Sequence, residues 1–168
     1  MTDGGVRKAL TGQYRASLRM LRQAIERCPD HLWNSGTHPR NFWRIAYHAI
    51  FYADLYVVQN EAAFTRWEKH SEGSTDLWPE ANAPVIEPYT KEDLMAYIDR
   101  LVEKSESTFM DLDLDTDDPG YYWYKGMTKL EHEILNIRHI QGHVGQLSEL
   151  LMANGIDTDW IARGWPSS

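Results

Sequence analysis

An all-α fold, a four-helix bundle, is predicted by three observations on this chain. Four stretches place apolar residues at the three- and four-residue spacing of a helix, and no stretch alternates with the two-residue period of a strand. The limits of those stretches carry capping and stopping residues. The 168 residues suit a single domain, 1–168, whose core is large enough to fold alone. An antiparallel bundle is the simplest way to bury four stripes.

The first helix, near 6–27, rests on Val6, Leu10, Tyr14, Leu18, Leu21 and Ile25, and Pro29 with Asp30 ends it. The second, near 38–59, places Pro39 in its first turn, where the missing N–H costs nothing. From Phe42 to Val57 it is apolar on nearly every face, the mark of a buried helix. Residues 60–89 have no long periodic run and contain Gly73, Pro79, Pro84 and Pro88, as expected of a crossover or a functional flap. Thr90 with Glu92 and Asp93 opens the third helix, near 90–110, whose stripe is Leu94, Tyr97, Ile98, Leu101, Val102 and Phe109. The acidic run from Asp111 to Asp118 lacks the glycine and closing glutamate of a calcium loop and reads as solvated. Thr128-Lys-Leu-Glu131 is a capping box for the last helix, near 128–154, and Asn154-Gly155 stops it.

Charge and cysteine content narrow the setting. The net charge is −8, yet residues 1–50 carry eight Lys/Arg against three Asp/Glu, so the acidity lies in the rest of the chain. Arg15, Arg19 and Arg22 share a helical face, which suits either an anionic ligand or a solvated surface balancing the acidic half. The acidic total argues against general nucleic-acid binding. Cys28 is the only cysteine, so no internal disulfide forms. With no apolar run long enough for a signal peptide or a membrane span, a cytoplasmic protein without membrane association is expected.

The chemistry sits in the histidines. His139 and His143 are four residues apart in the last helix, so both imidazoles leave one face and can close on a single divalent cation. On a helical wheel they lie on a flank between a core side of Leu130, Ile134, Ile137, Ile140, Val144, Leu147 and Leu151 and a solvent side of Glu131, Arg138, Gly142 and Glu149. His48 shares a stripe with Ile45, Tyr52 and Leu55 and is the candidate third ligand, although a lone buried histidine can also be satisfied by hydrogen bonds. Three of them offered from two helices favour a metal. His132, one to two turns away, reads as partly exposed or as orienting a ligand. Tyr121 to Tyr124 precede the metal-bearing helix, and the 60–89 connection brings Trp67 and Trp78. Together they are expected to form either an aromatic lid over the metal or a hydrophobic plug. No nucleophile motif appears, and Cys28 reads as structural.

A histidine midway along the second helix, with His139, His143, Gly145 and Gln146 in the order H-x-x-x-H-x-G-Q, resembles the DinB-like family, also called DinB/YfiT-like. The resemblance spans nearly the whole chain. The family often has a further histidine beside one of its pair, where this chain has Gly142 and Val144. The resemblance implies an up-down-down-up bundle with a long crossover between helices 2 and 3, a divalent metal on His48, His139 and His143, and often a homodimer. Characterised relatives transfer or isomerise with low-molecular-weight thiols such as bacillithiol, mycothiol or glutathione. The expected function is therefore metal-dependent S-transfer between a small-molecule thiol and an electrophilic substrate, with zinc as the default ion and nickel as a substitute acquired on purification. A metal-dependent hydrolase and a non-catalytic metal-containing binding or stress protein are the alternatives.

Overall fold

The first apolar stripe becomes α1 (Asp3–Arg27), which buries Leu10, Tyr14, Leu18, Leu21 and Ile25. The computed structural model describes residues 3–164, and its regular structure is helical, with no strand among those residues. After Pro29 the chain makes an unpredicted short helix, α2 (Asp30–Trp33), pinned by the Trp33 indole donating to Tyr89 O at 2.8 Å. The second predicted helix is shorter than expected: α3 spans Phe42–Tyr56, and Pro39 lies ahead of it in a turn with a cis His38–Pro39 bond. The turn closes on itself, with Phe42 N donating to Ser35 O and Asn41 Nδ2 to Asn34 O, so the helix starts only at Phe42.

Every residue of α3 is buried except His48 and Tyr52, which are partly exposed. The helix is thus a core rod with one partly exposed edge. The connection after it contains two 3₁₀ turns, Glu61–Ala63 and Pro79–Ala81. It is tied back to α3 by Arg44, whose guanidinium donates to Gly73 O and Pro84 O at 2.7 Å each. Trp67 does not join a lid: it is 5% exposed and stacked on Tyr97 at 4.9 Å. There it fills the gap between the connection and α4 (Lys91–Asp111).

The Thr90 and Thr128 hydroxyls accept from Asp93 N and Glu131 N, at 3.1 Å each, as the capping reading requires. Thr128 opens α5 (Lys129–Met152), and Gly155, with φ of 75°, ends it in the left-handed region that glycine adopts without a Cβ penalty. Helix α1 packs on α4 and α5, and α3 packs on the same two. Among the described residues no helix is long and apolar enough to cross a membrane.

The helical-wheel reading of α5 needs correction at its N-terminal half. Ile134, assigned to the core, is 55% exposed, whereas Lys129, His132, Glu133 and Asn136 are fully buried. The cause is the end of α3. Lys129 Nζ donates to Tyr56 O at 3.1 Å and to Val58 O, placing a cation on the carbonyls that the α3 C-terminus leaves unsatisfied. Glu133 Oε1 lies 2.9 Å from the same ammonium, close but out of line for a hydrogen bond. This pairing turns the polar flank of α5 inward over its first two turns.

Candidate metal centre

Two helices bring the three predicted histidines together. His48 Nε2 lies 3.2 Å from His139 Nε2, which lies 3.1 Å from His143 Nε2. They are the one group of three or more histidine, cysteine or acidic side chains among the described residues with ligand atoms close enough to share a metal ion. Ligand atoms about 2.0–2.1 Å from one tetrahedral zinc sit a little over 3 Å apart, so the spacing fits such an ion.

Hydrogen bonds decide which nitrogens carry protons. Thr75 O lies 2.7 Å from His48 Nδ1, and a carbonyl can only accept, so His48 holds its proton there and turns a lone pair on Nε2 inward. Gln146 Oε1 does the same for His143 Nδ1 at 3.0 Å. His139 has no partner at its buried Nδ1. Two inward lone pairs thus face a third ring nitrogen that can donate to only one of them. A shared cation satisfies all three, so the donor set fits a divalent metal.

Burial reinforces the neutral state. It lowers the His48 pKa to about 3, helped by His143, His139 and Arg40 and opposed by the Thr75 carbonyl. It lowers His139 to about 4, with His143 adding to the shift. His143 is lowered by burial too, against the pull of Gln146. The rings are therefore deprotonated and ready to ligate at neutral pH without first releasing protons.

Gln146→Ala removes the group that orients His143 while leaving all three rings in place. It is expected to weaken zinc binding by about 10–100-fold, the usual loss when an orienting partner goes. Competition with a chromophoric chelator measures this.

The histidines line one wall of a pocket of about 600 Å³. Tyr52 and Tyr56 form its floor, with Tyr52 4.6 Å from the His48 ring and 5.6 Å from the His139 ring. Trp78, from the connection, and Tyr122, Trp123 and Tyr124, from ahead of α5, line the same pocket. Trp78 and Tyr122 are 69% and 74% exposed, so they stand at the mouth as the sequence suggested for aromatics beside the metal. Tyr121 does not join them: it is buried, stacked on His132 at 4.7 Å, with its hydroxyl donating to Val58 O at 3.2 Å.

Other candidates fall away from this centre. His132 is fully enclosed rather than partly exposed, between the rings of Tyr121 and Tyr56. Arg15 and Arg22 serve α4, through Ser105 and Glu106 and through Asp99 respectively. Cys28 is buried, and burial raises its thiol pKa to about 11, which keeps it protonated. Sequence reasoning passed over Tyr56 and Arg40 as pocket residues: Tyr56 lies among the apolar residues at the end of α3, and Arg40 lies in the turn before it, where helical spacing gives no signal. Comparison with protein-family models, with curated proteins and with solved structures finds no match to the chain.

Proposed function

We propose that this protein is a DinB-like four-helix bundle holding a divalent ion, zinc by default, on His48, His139 and His143, and that it transfers a small-molecule thiol to an electrophile. The observation that carries the reading is the convergence of three neutral Nε2 atoms, 3.1–3.2 Å apart in sequence along the set, on an aromatic pocket. The pairing of α1 and α3 each with α4 and α5 supports the bundle, with the 57–90 stretch as its long crossover. The homodimer that the resemblance implies is part of the same proposal.

A divalent cation with three neutral ligands keeps its full charge and an open position, which favours the thiolate form of a bound thiol. The chain's own groups do the rest. Thr75 O and Gln146 Oε1 hold the imidazole protons at Nδ1, so that Nε2 stays free to ligate. Trp78, Tyr122 and Trp123 stand at the pocket mouth and offer flat apolar faces to an electrophile. Hydrolysis is the competing chemistry for such a centre, since a cation on three histidines would also favour hydroxide over water; no carboxylate among the lining residues is placed to assist it as a general base.

The test uses zinc-loaded protein with a chlorinated aromatic or an epoxide as acceptor, with and without thiols. Turnover should require both thiol and metal, and Cys28→Ala should retain it, because that thiol stays protonated and buried. Turnover that survives metal removal, or that is lost with Cys28, overturns the reading. Thiol-independent ester cleavage would favour the hydrolase.

A further inference from the structure

We propose that Arg40 builds an anion subsite beside the three histidines, taking a carboxylate carried by the same thiol whose sulfur is directed to the metal. The inference rests on the thiol-transfer reading and names the kind of thiol that fits.

Four observations lead to it. Arg40 is the one side chain with a fixed formal charge among those lining the pocket, which holds no aspartate or glutamate. Its positive charge is felt at both His48 and His143, so it stands close to the histidine cluster. Its guanidinium has no hydrogen bond or ion pair to any other described residue. Arg44, one turn further on, instead spends its guanidinium on Gly73 O and Pro84 O, and Arg22 spends its own on Asp99.

The fourth observation is that the backbone carrying Arg40 is fixed. Arg40 N donates to Thr37 O at 2.7 Å, and His38 Nε2 lies 2.7 Å from Ala83 O on the crossover. Gly36, at φ of 106°, comes so close to Arg40 that a Cβ there would meet Arg40 O at 2.6 Å. A fixed backbone leaves fewer degrees of freedom to lose on binding, which favours affinity.

Charge balance then identifies the ligand. A guanidinium and a dication in one pocket would repel each other, and no carboxylate among the lining residues stands between them; Asp76, whose charge reaches Tyr52, lies in the adjoining pocket. A ligand with two negative groups offsets both: a thiolate for the cation, and a carboxylate whose paired oxygens match the planar guanidinium fork. A neutral thiol leaves Arg40 unmatched.

The experiment uses the full chain loaded with cobalt, whose absorption reports thiolate coordination. It is titrated with 3-mercaptopropionate and with 2-mercaptoethanol, which differ in the carboxylate. The carboxylated thiol should bind at least about tenfold more tightly, the effect of one charge-assisted contact. Arg40→Ala should erase that preference, weakening 3-mercaptopropionate binding at least about tenfold more than 2-mercaptoethanol binding, and Arg40→Lys should restore part of it. Arg40→Ala should also keep full metal stoichiometry, with an affinity equal to or above that of the parent protein, because a repelling charge is gone. A structural role for Arg40 would lower metal affinity instead, and that result overturns the proposal. Equal binding of the two thiols by the parent protein overturns it as well, leaving thiol transfer intact. If neither thiol changes the cobalt spectrum, thiol transfer fails and the subsite fails with it.

Discussion

Replacing His139 with alanine is expected to reduce the metal content of the purified protein from about one ion per chain to near zero. His139 is the middle member of the set: its Nε2 is within 3.2 Å of the Nε2 of both His48 and His143. Without it the remaining pair offers two ligands from different helices, and affinity should fall by more than the 10–100-fold that follows loss of an orienting partner. His48→Ala and His143→Ala should act in the same direction. Elemental analysis of the three variants, with circular dichroism to check folding, measures the effect. If all three keep full stoichiometry, the assignment is wrong. Acid gives an independent check on the same site. The metal-free folded protein titrates His48 near 3 and His139 near 4, below the ordinary value of about 6.5 that the unfolded chain retains. The unfolded state therefore binds more protons between about pH 4 and 6.5, so the stability of the metal-free protein falls as the pH drops through that window. Melting temperatures across the window should decline less steeply for His48→Gln than for the parent chain.

Glu133→Gln is expected to destabilise the fold by about 3–5 kcal/mol, the usual cost of removing one partner of a buried ion pair. Lys129 and Glu133 are both fully buried. Burial lowers the pKa of the Lys129 ammonium, and Glu133 works against that shift. Taking the carboxylate away leaves the cation with the Tyr56 and Val58 carbonyls alone. Converting both members to apolar residues of similar size should cost less, because no unpaired charge remains and the loss is confined to the donor of the Tyr56 carbonyl. Urea denaturation of the single and double variants separates the two cases. A single variant as stable as the parent would show that the pair does not support α5.

The four long helices were legible because each carries a periodic stripe long enough to outweigh local ambiguity. Thr90, Thr128 and Gly155 do at the helix ends what their residue types suggest. His48, His139 and His143 were legible for a related reason: the i, i+4 spacing fixes a shared face, and a polar residue within an apolar helix has few reasons to be there. What could not be read was which flank of α5 its neighbours would cover. Ile134 and His132 exchanged their expected environments because Lys129 reaches the end of α3, a contact 71 to 73 residues away in sequence. Trp67 and Trp78 belong to one connection, yet one is stacked in the interior and the other stands at the mouth of the pocket. Composition cannot separate them, since only the path of the chain decides. Arg40 was hidden in a turn that the sequence assigned to a helix.

Thr75, which holds the proton of His48, belongs to the crossover, and His48 and His139 are 91 residues apart in sequence. A cation on this centre would join α3, α5 and the connection, none of which provides the site in an unfolded chain. Because it binds the folded state alone, it adds stability in proportion to the logarithm of its free concentration, about 2.7 kcal/mol at a hundred times the dissociation constant. A chain with one cysteine has no disulfide with which to fasten itself. Its heat tolerance would instead track the supply of metal in its surroundings, so that scarcity of the ion would loosen the crossover and the helix pair together.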